Sequence, residues 1–447
     1  MPLPNADVIA AVASAQGRGG VGVVRVSGGD IEELTRCILG KLPEVRRASY
    51  SNFLDENGDI IDQGIALYFP APHSYTGENV LELQGHGGTA VLQMVLQRCL
   101  DLGARMAQPG EFTRRAFLNG KLDLAQAEGV ADLIEANSTE AARSAMRSLK
   151  GEFSTVVHGL VEELINLRML VEAMLDFPEE DVAADDIELR NGLLKNLQTS
   201  LKKSLETAKQ GSLLREGAQV VIAGQPNVGK SSLLNRLAGE DLALVSSIPG
   251  TTRDVIRQSI QVRGVPMHIM DTAGLRISRD EIESMGIALT QQTLHRADLI
   301  LLLLDASQGM TIQDKAIIEG LPAGIPLMLV MNKSDLVQDE FPDFQGMDKS
   351  VRVSAKTGEG IEELRGKLLE AVGWRDQEGG VFMARERHLR SLTQAQIHLS
   401  QAFNVLTQAE LFAEELRLAQ RALNEITGEY TPDDLLGDIF SRFCIGK

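Results

Sequence analysis

The sequence predicts a multidomain chain of α/β and α+β character, in which a compact α/β domain is inserted into a helical one. Three observations predict it. Short apolar runs alternate with polar helical stretches over residues 213–375. Long Ala/Leu/Glu-rich stretches, poor in Gly and Pro, flank that region over residues 119–212 and 376–447. Residues 1–118 are instead Gly-rich, with short β-like runs, and read as a small α+β domain in front. A length of 447 residues suits about three domains.

The leading segment carries VIAAVAS, VGVVRVS, GIALYF and NVLELQG as strands and VLQMVLQRCLDLG as one clear helix. In the next segment Leu160, Leu164, Leu167, Val171 and Met174 form an apolar stripe at helical period. Leu416, Ala419, Leu423 and Ile426 repeat that pattern near the other end, so the two stretches are expected to pack as one bundle whose halves are distant in sequence. Between them AQVVIAG, VPMHIMD, DLILLLLD, PLMLVMN and SVRVSA read as strands of a parallel sheet covered on both faces.

Composition excludes several classes. Hydrophobic residues make up 43% and charged residues 24%, with no apolar run long enough for a membrane span. MPLPNADVIA lacks the basic start of a signal peptide. Three scattered cysteines, Cys37, Cys99 and Cys444, give neither a disulfide framework nor a metal pair, which fits a reducing cytoplasm. Seven dispersed histidines show no zinc spacing. A net charge of −18 disfavours non-specific nucleic-acid binding, so an RNA substrate would need a local basic patch or a basic partner. Arg114, Arg115 and Lys121, or Arg143, Arg147 and Lys150, are candidates, with a solvated helix face as the alternative.

The strongest motif is AGQPNVGKSS, residues 223–232, which fits G-x-x-x-x-G-K-S at Gly224, Gly229, Lys230 and Ser231. It follows an apolar strand and opens a helix, the context this motif needs. Glycines let the backbone wrap close to phosphate, and successive N–H groups at a helix N-terminus point at the anion. Lys230 is expected on the β and γ oxygens and the Ser231 hydroxyl on magnesium. Asp271, in DTAG, can hold the metal through water, Gly274 can sense the γ-phosphate, and Thr252, in GTTRD, can complete the metal shell. In NKSD, Asp335 can accept two hydrogen bonds from guanine, and a site built this way rejects a base lacking them by a factor of about 10⁴. Ser354, Ala355 and Lys356 can bring a backbone N–H to the guanine O6. Four motifs in order, each at a strand end, predict a GTPase domain.

Two details stand apart. Leu275 follows DTAG, where signalling GTPases often place a glutamine that orients the attacking water. Asn227, inside the phosphate loop, offers a side-chain oxygen that could hold a monovalent cation. Arg276 and Glu283 are polar candidates beside the γ-phosphate, although Glu283 alone reads as a surface helix residue.

With GRGGVGVVRVSG, SYTGENVLELQGHGG, PGEFTRRAFLNGKLDLAQAE, the GTPase motifs and the ending CIGK, the whole chain resembles the potassium-activated tRNA-modification GTPases of the MnmE/TrmE family. The resemblance implies a Ras-like P-loop GTPase domain inserted into a helical bundle domain, preceded by an α+β folate-binding dimerisation domain. It implies a homodimer whose G domains meet when GTP and potassium bind. The potassium ligands it implies are Asn227, Ser246, Ile248 and Thr251; Ser246 departs from members with Thr, which a backbone ligand tolerates. It places GTP on Asn227, Val228, Gly229, Lys230, Ser231 and Ser232; on Ser246, Ser247, Ile248, Pro249, Gly250, Thr251 and Thr252; on Asp271, Thr272, Ala273 and Gly274; and on Asn332, Lys333, Asp335, Ser354, Ala355 and Lys356. Magnesium falls to Ser231 and Thr252. Glu283 becomes a catalytic residue, with Arg276 beside it.

The resemblance further implies addition of a carboxymethylaminomethyl or aminomethyl group to C5 of wobble uridine 34 in certain tRNAs. An MnmG/GidA-like flavoprotein would join it in a hetero-oligomer and bring FAD and NADH. The one-carbon unit would come from a 5-formyl- or methylene-tetrahydrofolate held by Arg25, Glu82, Lys121 and Lys447. A carboxylate suits the amidine-like edge of a pterin, and the cations suit a glutamyl tail; ordinary surface ion pairs are the alternative. Cys444 would act in the modification step or sit as a small buried side chain beside Phe443 and Ile445. Its position does not make a prenylation box, because Gly446 and Lys447 are the wrong residues.

Other readings fail on context. GRGGVG fits a dinucleotide fingerprint, but the β-like VVRVSGGD follows where a helix is required. GHGG has no G-x-S-x-G partner. A ribosome-maturation switch, the competing function, usually adds a basic RNA-binding module that this acidic chain lacks.

Overall fold

The computed structural model describes residues 7–15, 17–176, 184–238, 257–271, 297–322, 324–337, 350–375, 380–429, 433–441, 443–444 and 446. Two compact units share the chain. One comprises Met1–Ala131, Leu149–Glu179 and Val405–Lys447, the other Asp132–Ser148 and Glu180–Asn404.

In the first unit the β-like runs become β1 (Ile9–Val12), β2 (Gly19–Gly28), β3 (Ser49–Leu54), β4 (Ile60–Phe69), β5 (Asn79–Gly87) and β6 (Arg105–Met106), paired in the order β3-β4-β5-β2-β1-β6. Pairing is antiparallel except between β1 and β6. Because β2 starts inside GRGGVG and runs to Gly28, no helix follows those glycines, as the rejection of a dinucleotide site expects. Val24, Val26, Leu81 and Leu83 point to one face and are buried with Phe53 and with Leu92, Val95 and Cys99 of α2 (Thr89–Asp101). Burial pushes the Cys99 thiol up to about 12, leaving it a small apolar side chain at neutral pH.

Sequence reading found α2 but not α1 (Glu32–Leu39) or α3 (Glu111–Leu118). Each has eight residues, about two turns, too short for a readable 3.6-residue period. Left-handed glycines mark them instead, Gly40 closing α1 and Gly110 opening α3. Arg115 of α3 leaves the list of surface cations. It is 5% exposed and pairs with Glu78 at 3.1 Å, Glu111 at 3.0 Å and Asp7 at 2.9 Å.

Beyond α4 (Leu124–Glu135) and α5 (Thr139–Leu149), the apolar stripe lies on α6 (Glu152–Asp176), where Leu160, Leu164, Leu167 and Val171 are buried. In the second unit α7 (Ala184–Glu216) precedes a six-stranded sheet of β7 (Ala218–Gly224), β8 (Arg257–Val262), β9 (Val265–Asp271), β10 (Leu299–Asp305), β11 (Leu327–Asn332) and β12 (Ser350–Arg352). The order is β12-β11-β10-β7-β9-β8, parallel throughout except for the edge strand β8. Val220, Ile222, Leu301 and Leu303 face α8 (Lys230–Ala238) and α10 (Ile361–Ala371), the latter following α9 (Ile312–Glu319) in the chain. Val221, Ala223, Ile300 and Leu302 face the α9 side. Burial on both faces explains why these strands read as continuous apolar runs.

The chain closes with α11 (Glu386–Asn404), α12 (Ala409–Thr427) and α13 (Asp433–Ser441). α12 returns to pack on α6, burying Leu416, Ala419, Leu423 and Ile426, while α11 packs on α7. The two stripes, distant in sequence, thus meet on α6 and α12, while α7 and α11 pair within the other unit.

Glu111 tests the ion cluster around Arg115. Burial works against its charge, yet bonds from Arg105, the Gln108 N–H and Arg115 hold its carboxyl below the ordinary value of 4.5. A depressed carboxyl stabilises the fold above its unfolded pKa, and that contribution is lost as pH falls through the lower folded value. Glu111→Gln is expected to cost about 3 kcal/mol at neutral pH, with the gap to the parent closing below about pH 4.5. Denaturant unfolding across pH checks this, and a gap independent of pH contradicts it.

Candidate functional site

The phosphate loop spans the turn from β7 into α8. Gly224 has φ +145° and Gly229 φ +98°, both closed to ordinary side chains. A Cβ on Gly224 would meet the Leu303 carbonyl, and one on Gly229 the amide of Asn332. Between them Asn227 takes φ +63°, a conformation that Asn tolerates better than most residues. Lys230 is 8% exposed, and its ammonium donates to the carbonyls of Gly224 at 2.8 Å and Gln225 at 2.9 Å. Ser231 and Ser232 are exposed on the first turn of α8, and Val228 is buried.

Asn332 joins three motifs. Its Nδ2 donates to the Val228 carbonyl at 2.9 Å, and its Oδ1 accepts from the Ala355 N–H at 3.0 Å. The side chain is 2% exposed, so these bonds replace its water. Asp335 Oδ1 accepts the Ser354 hydroxyl at 2.6 Å, and Ser354 Oγ accepts the Thr357 N–H at 3.1 Å. Together these residues wall a cavity of about 920 Å³, lined by Asn227, Gly229, Asn332, Lys333, Asp335 and Lys356 among others.

Two contributors carry no sequence signal strong enough to find them. Arg236, on α8, donates to the carbonyls of Ala355 at 3.1 Å and Lys356 at 2.6 Å, tying the phosphate helix to the base loop. Asp305, the last residue of β10, pairs with Lys333 at 2.7 Å. Burial raises the Asp305 carboxyl, but Lys333 and Ser307 outweigh it and hold it below the usual range. A lone carboxylate ending DLILLLLD is the one hint a sequence could offer.

Asp271 ends β9, level with Ile222 of the parallel β7 and so at the same end of the sheet as the loop. Residues 246–252 and 272–276, with Glu283 and Lys447, lie outside the described residues. The expectations on Ser246, Ser247, Ile248, Pro249, Gly250, Thr251, Thr252, Thr272, Ala273, Gly274, Leu275 and Arg276 therefore fall outside the described residues. Among the described residues no cluster of His, Cys, Asp and Glu stands ready to hold a metal ion.

A second candidate site lies in the first unit. Arg25 on β2 and Glu82 on β5 are register partners, and their side chains pair at 2.9 Å with each about one-fifth exposed. The Arg25 guanidinium sits 5.5 Å from the Tyr75 ring centroid and 5.7 Å from that of Phe112. It also donates to the Gly446 carbonyl at 3.3 Å. Gln84 adds a bond to the other oxygen of Glu82 at 3.3 Å. The tail is held from behind, with the Gly110 N–H donating to the Cys444 carbonyl at 3.3 Å and Phe443 buried against Phe440. Cys444 is exposed, so its buried alternative is corrected: Phe443 takes the inward place. Lys121 is exposed and donates to the Pro72 carbonyl at 3.1 Å.

Two family models match the chain: "GTP-binding protein TrmE N-terminus" over residues 8–121 and "MnmE helical domain" over residues 124–444. The chain is 57% identical to the tRNA modification GTPase MnmE of Nitrosospira multiformis, covering 100% of both. It is 58% identical to the protein of that name from Thiobacillus denitrificans, covering 99% of each. The Nitrosomonas europaea protein of that name is 56% identical, again over 99% of each.

Asp335→Asn tests the base wall. The variant is expected to lose about 10- to 100-fold in GTP affinity and to gain affinity for xanthosine triphosphate, because an amide complements xanthine. Competition titration reads both, and unchanged GTP affinity contradicts the assignment.

Proposed function

The chain belongs to the MnmE family of tRNA modification GTPases, and from that premise we propose that its GTP cycle serves one defined modification. Paired in a homodimer, and joined by an MnmG/GidA-like flavoprotein that supplies FAD and NADH, it places a carboxymethylaminomethyl or aminomethyl group on C5 of wobble uridine 34. The carbon comes from a tetrahydrofolate. The observation that carries this reading is the tail: the Gly446 carbonyl on Arg25, beside Glu82 and two aromatic rings. A ribosome-maturation switch has no use for that arrangement.

Each half has a chemical role. Lys230, now on two loop carbonyls, has the charge and reach to turn to the β and γ oxygens of GTP. Ser231 and Thr252, with Asp271 behind them, are the residues for magnesium, which would neutralise charge on those oxygens. Asn227 lines the cavity, and with Ser246, Ile248 and Thr251 it is the set for potassium, which would supply positive charge in addition to that of Lys230. Leu275 cannot orient water; the family resemblance gives that role to Glu283, with Arg276 a polar candidate for the γ-phosphate. The paired oxygens of Glu82 suit a pterin edge, with the half-buried Tyr75 ring beside Arg25. Arg25, Lys121 and Lys447 suit a glutamyl tail. Cys444, exposed and two residues before Gly446, is a candidate thiol for the transfer step. The site of action is the cytoplasm.

In cells lacking the protein, mass spectrometry of tRNA is expected to show wobble uridines without the C5 group, restored by the intact gene. Normal wobble uridines with altered ribosome assembly would favour the switch instead. Purified protein with magnesium should hydrolyse GTP faster in potassium than in sodium, and equal rates remove the cation set. Calorimetry with 5-formyl-tetrahydrofolate is expected to show binding lost in Glu82→Ala and in a chain ending before Cys444. Undiminished binding in both separates the tail from the folate.

A further inference from the structure

The phosphate loop is braced from outside by a side chain that the nucleotide motif leaves unspecified. Gln225 is one of the four variable positions between Gly224 and Gly229. Its Nε2 donates to Thr311 Oγ1 at 2.6 Å and to Asp314 Oδ1 at 2.9 Å. Those two residues form the capping box of α9, in which Thr311 Oγ1 accepts the Asp314 N–H and Asp314 Oδ2 accepts the Thr311 N–H. Asp314 is only 3% exposed.

Every role in this cluster is assigned. The Thr311 hydroxyl donates to Asp314 Oδ2 at 2.8 Å and accepts from Gln225 and from the Asp314 N–H. The cap alone uses Asp314 Oδ2, and Gln225 supplies a donor to the second oxygen. Bonds to a buried carboxylate are stronger than neutral ones, and an unmatched oxygen there is costly. The other end of Gln225 meets the nucleotide machinery, because its own carbonyl is one of the two that hold Lys230. A continuous path therefore runs from the cap of α9 through Gln225 to the phosphate-binding ammonium.

We propose that Gln225 is a positioning residue for phosphate binding, clamping the loop to the α9 cap so that its N–H groups and Lys230 are preset for the anion. When Lys230 turns to phosphate it lets go of the loop carbonyls, and the side-chain clamp remains to hold the loop's shape. Preset binding groups raise affinity by cutting the cost of ordering. The clamp needs a donor at residue 225, not an amide as such. Lysine keeps donors and adds a charge matched to Asp314, alanine removes the clamp, and glutamate sets a second carboxylate against the first.

The inference rests on reading the cradle as a guanine-nucleotide site. Titration of the full chain with fluorescent GDP and GTP tests it, together with the thermal midpoint of each nucleotide-free variant. Affinity is expected to fall about three- to tenfold in Gln225→Ala and about tenfold or more in Gln225→Glu, and to return within about threefold of the parent in Gln225→Lys. Preference for guanine over xanthine nucleotides should stay at the parent value in all three, because Asp335 stands on the other wall. Parent affinity in Gln225→Glu, a Gln225→Lys variant as weak as Gln225→Ala, or lost base preference each overturns the proposal. If Gln225→Glu does not fold, the Lys and Ala variants decide alone. A parent chain that binds no guanine nucleotide would instead defeat the underlying reading.

Discussion

The nucleotide half depends on one buried amide. Asn332 presents a donor and an acceptor, and three motifs meet on them: the phosphate loop, 104 residues earlier, through Val228, its own strand end, and the base loop, 23 residues later, through Ala355. An aspartate would offer no donor to Val228, and a leucine would leave both backbone groups without a partner. Gly229 is part of the same constraint, since the amide occupies the space a Cβ would need. The phosphate loop and the Ser354–Lys356 loop are thus joined through a single side-chain plane.

The second site follows a different logic. Arg25 and Glu82 are brought opposite each other by strand register alone, so their pair needs nothing beyond the sheet. What makes it more than a surface pair is the cover that comes from elsewhere: Tyr75 and Phe112 on the sides and the Gly446 carbonyl as a further acceptor. A guanidinium has enough donors to serve a carboxylate, a carbonyl and an incoming ligand together. Lysine at this position would have one centre instead of a fork.

The sequence was most legible where chemistry permits few residues. Glycines at Gly224 and Gly229 and apolar strands buried on both faces each follow from a narrow physical demand. Legibility failed where a side chain binds a group distant in sequence. Arg236 reads as an exposed helix arginine, Gln225 as a variable loop residue, and Arg115 as a surface cation, because their partners lie on other elements. β8, RQSIQV, mixes polar and apolar residues as an edge strand does and was not singled out. The helix stripes told which faces pack, while Cys444 shows that a cysteine between two apolar residues need not face inward.

Arg25 and its Gly446 acceptor are separated by 421 positions. At ribosomal speeds of about 5–20 residues per second, roughly 20–80 s pass between making the one and the other. During that time the sheet can fold and the Arg25–Glu82 pair can close, yet the arginine stays uncovered on that side. The nucleotide cradle, made from residues up to 365, is complete well before then. Birth order on the ribosome therefore completes the two residue clusters in sequence, the cradle around Asn332 ahead of the Arg25 corner.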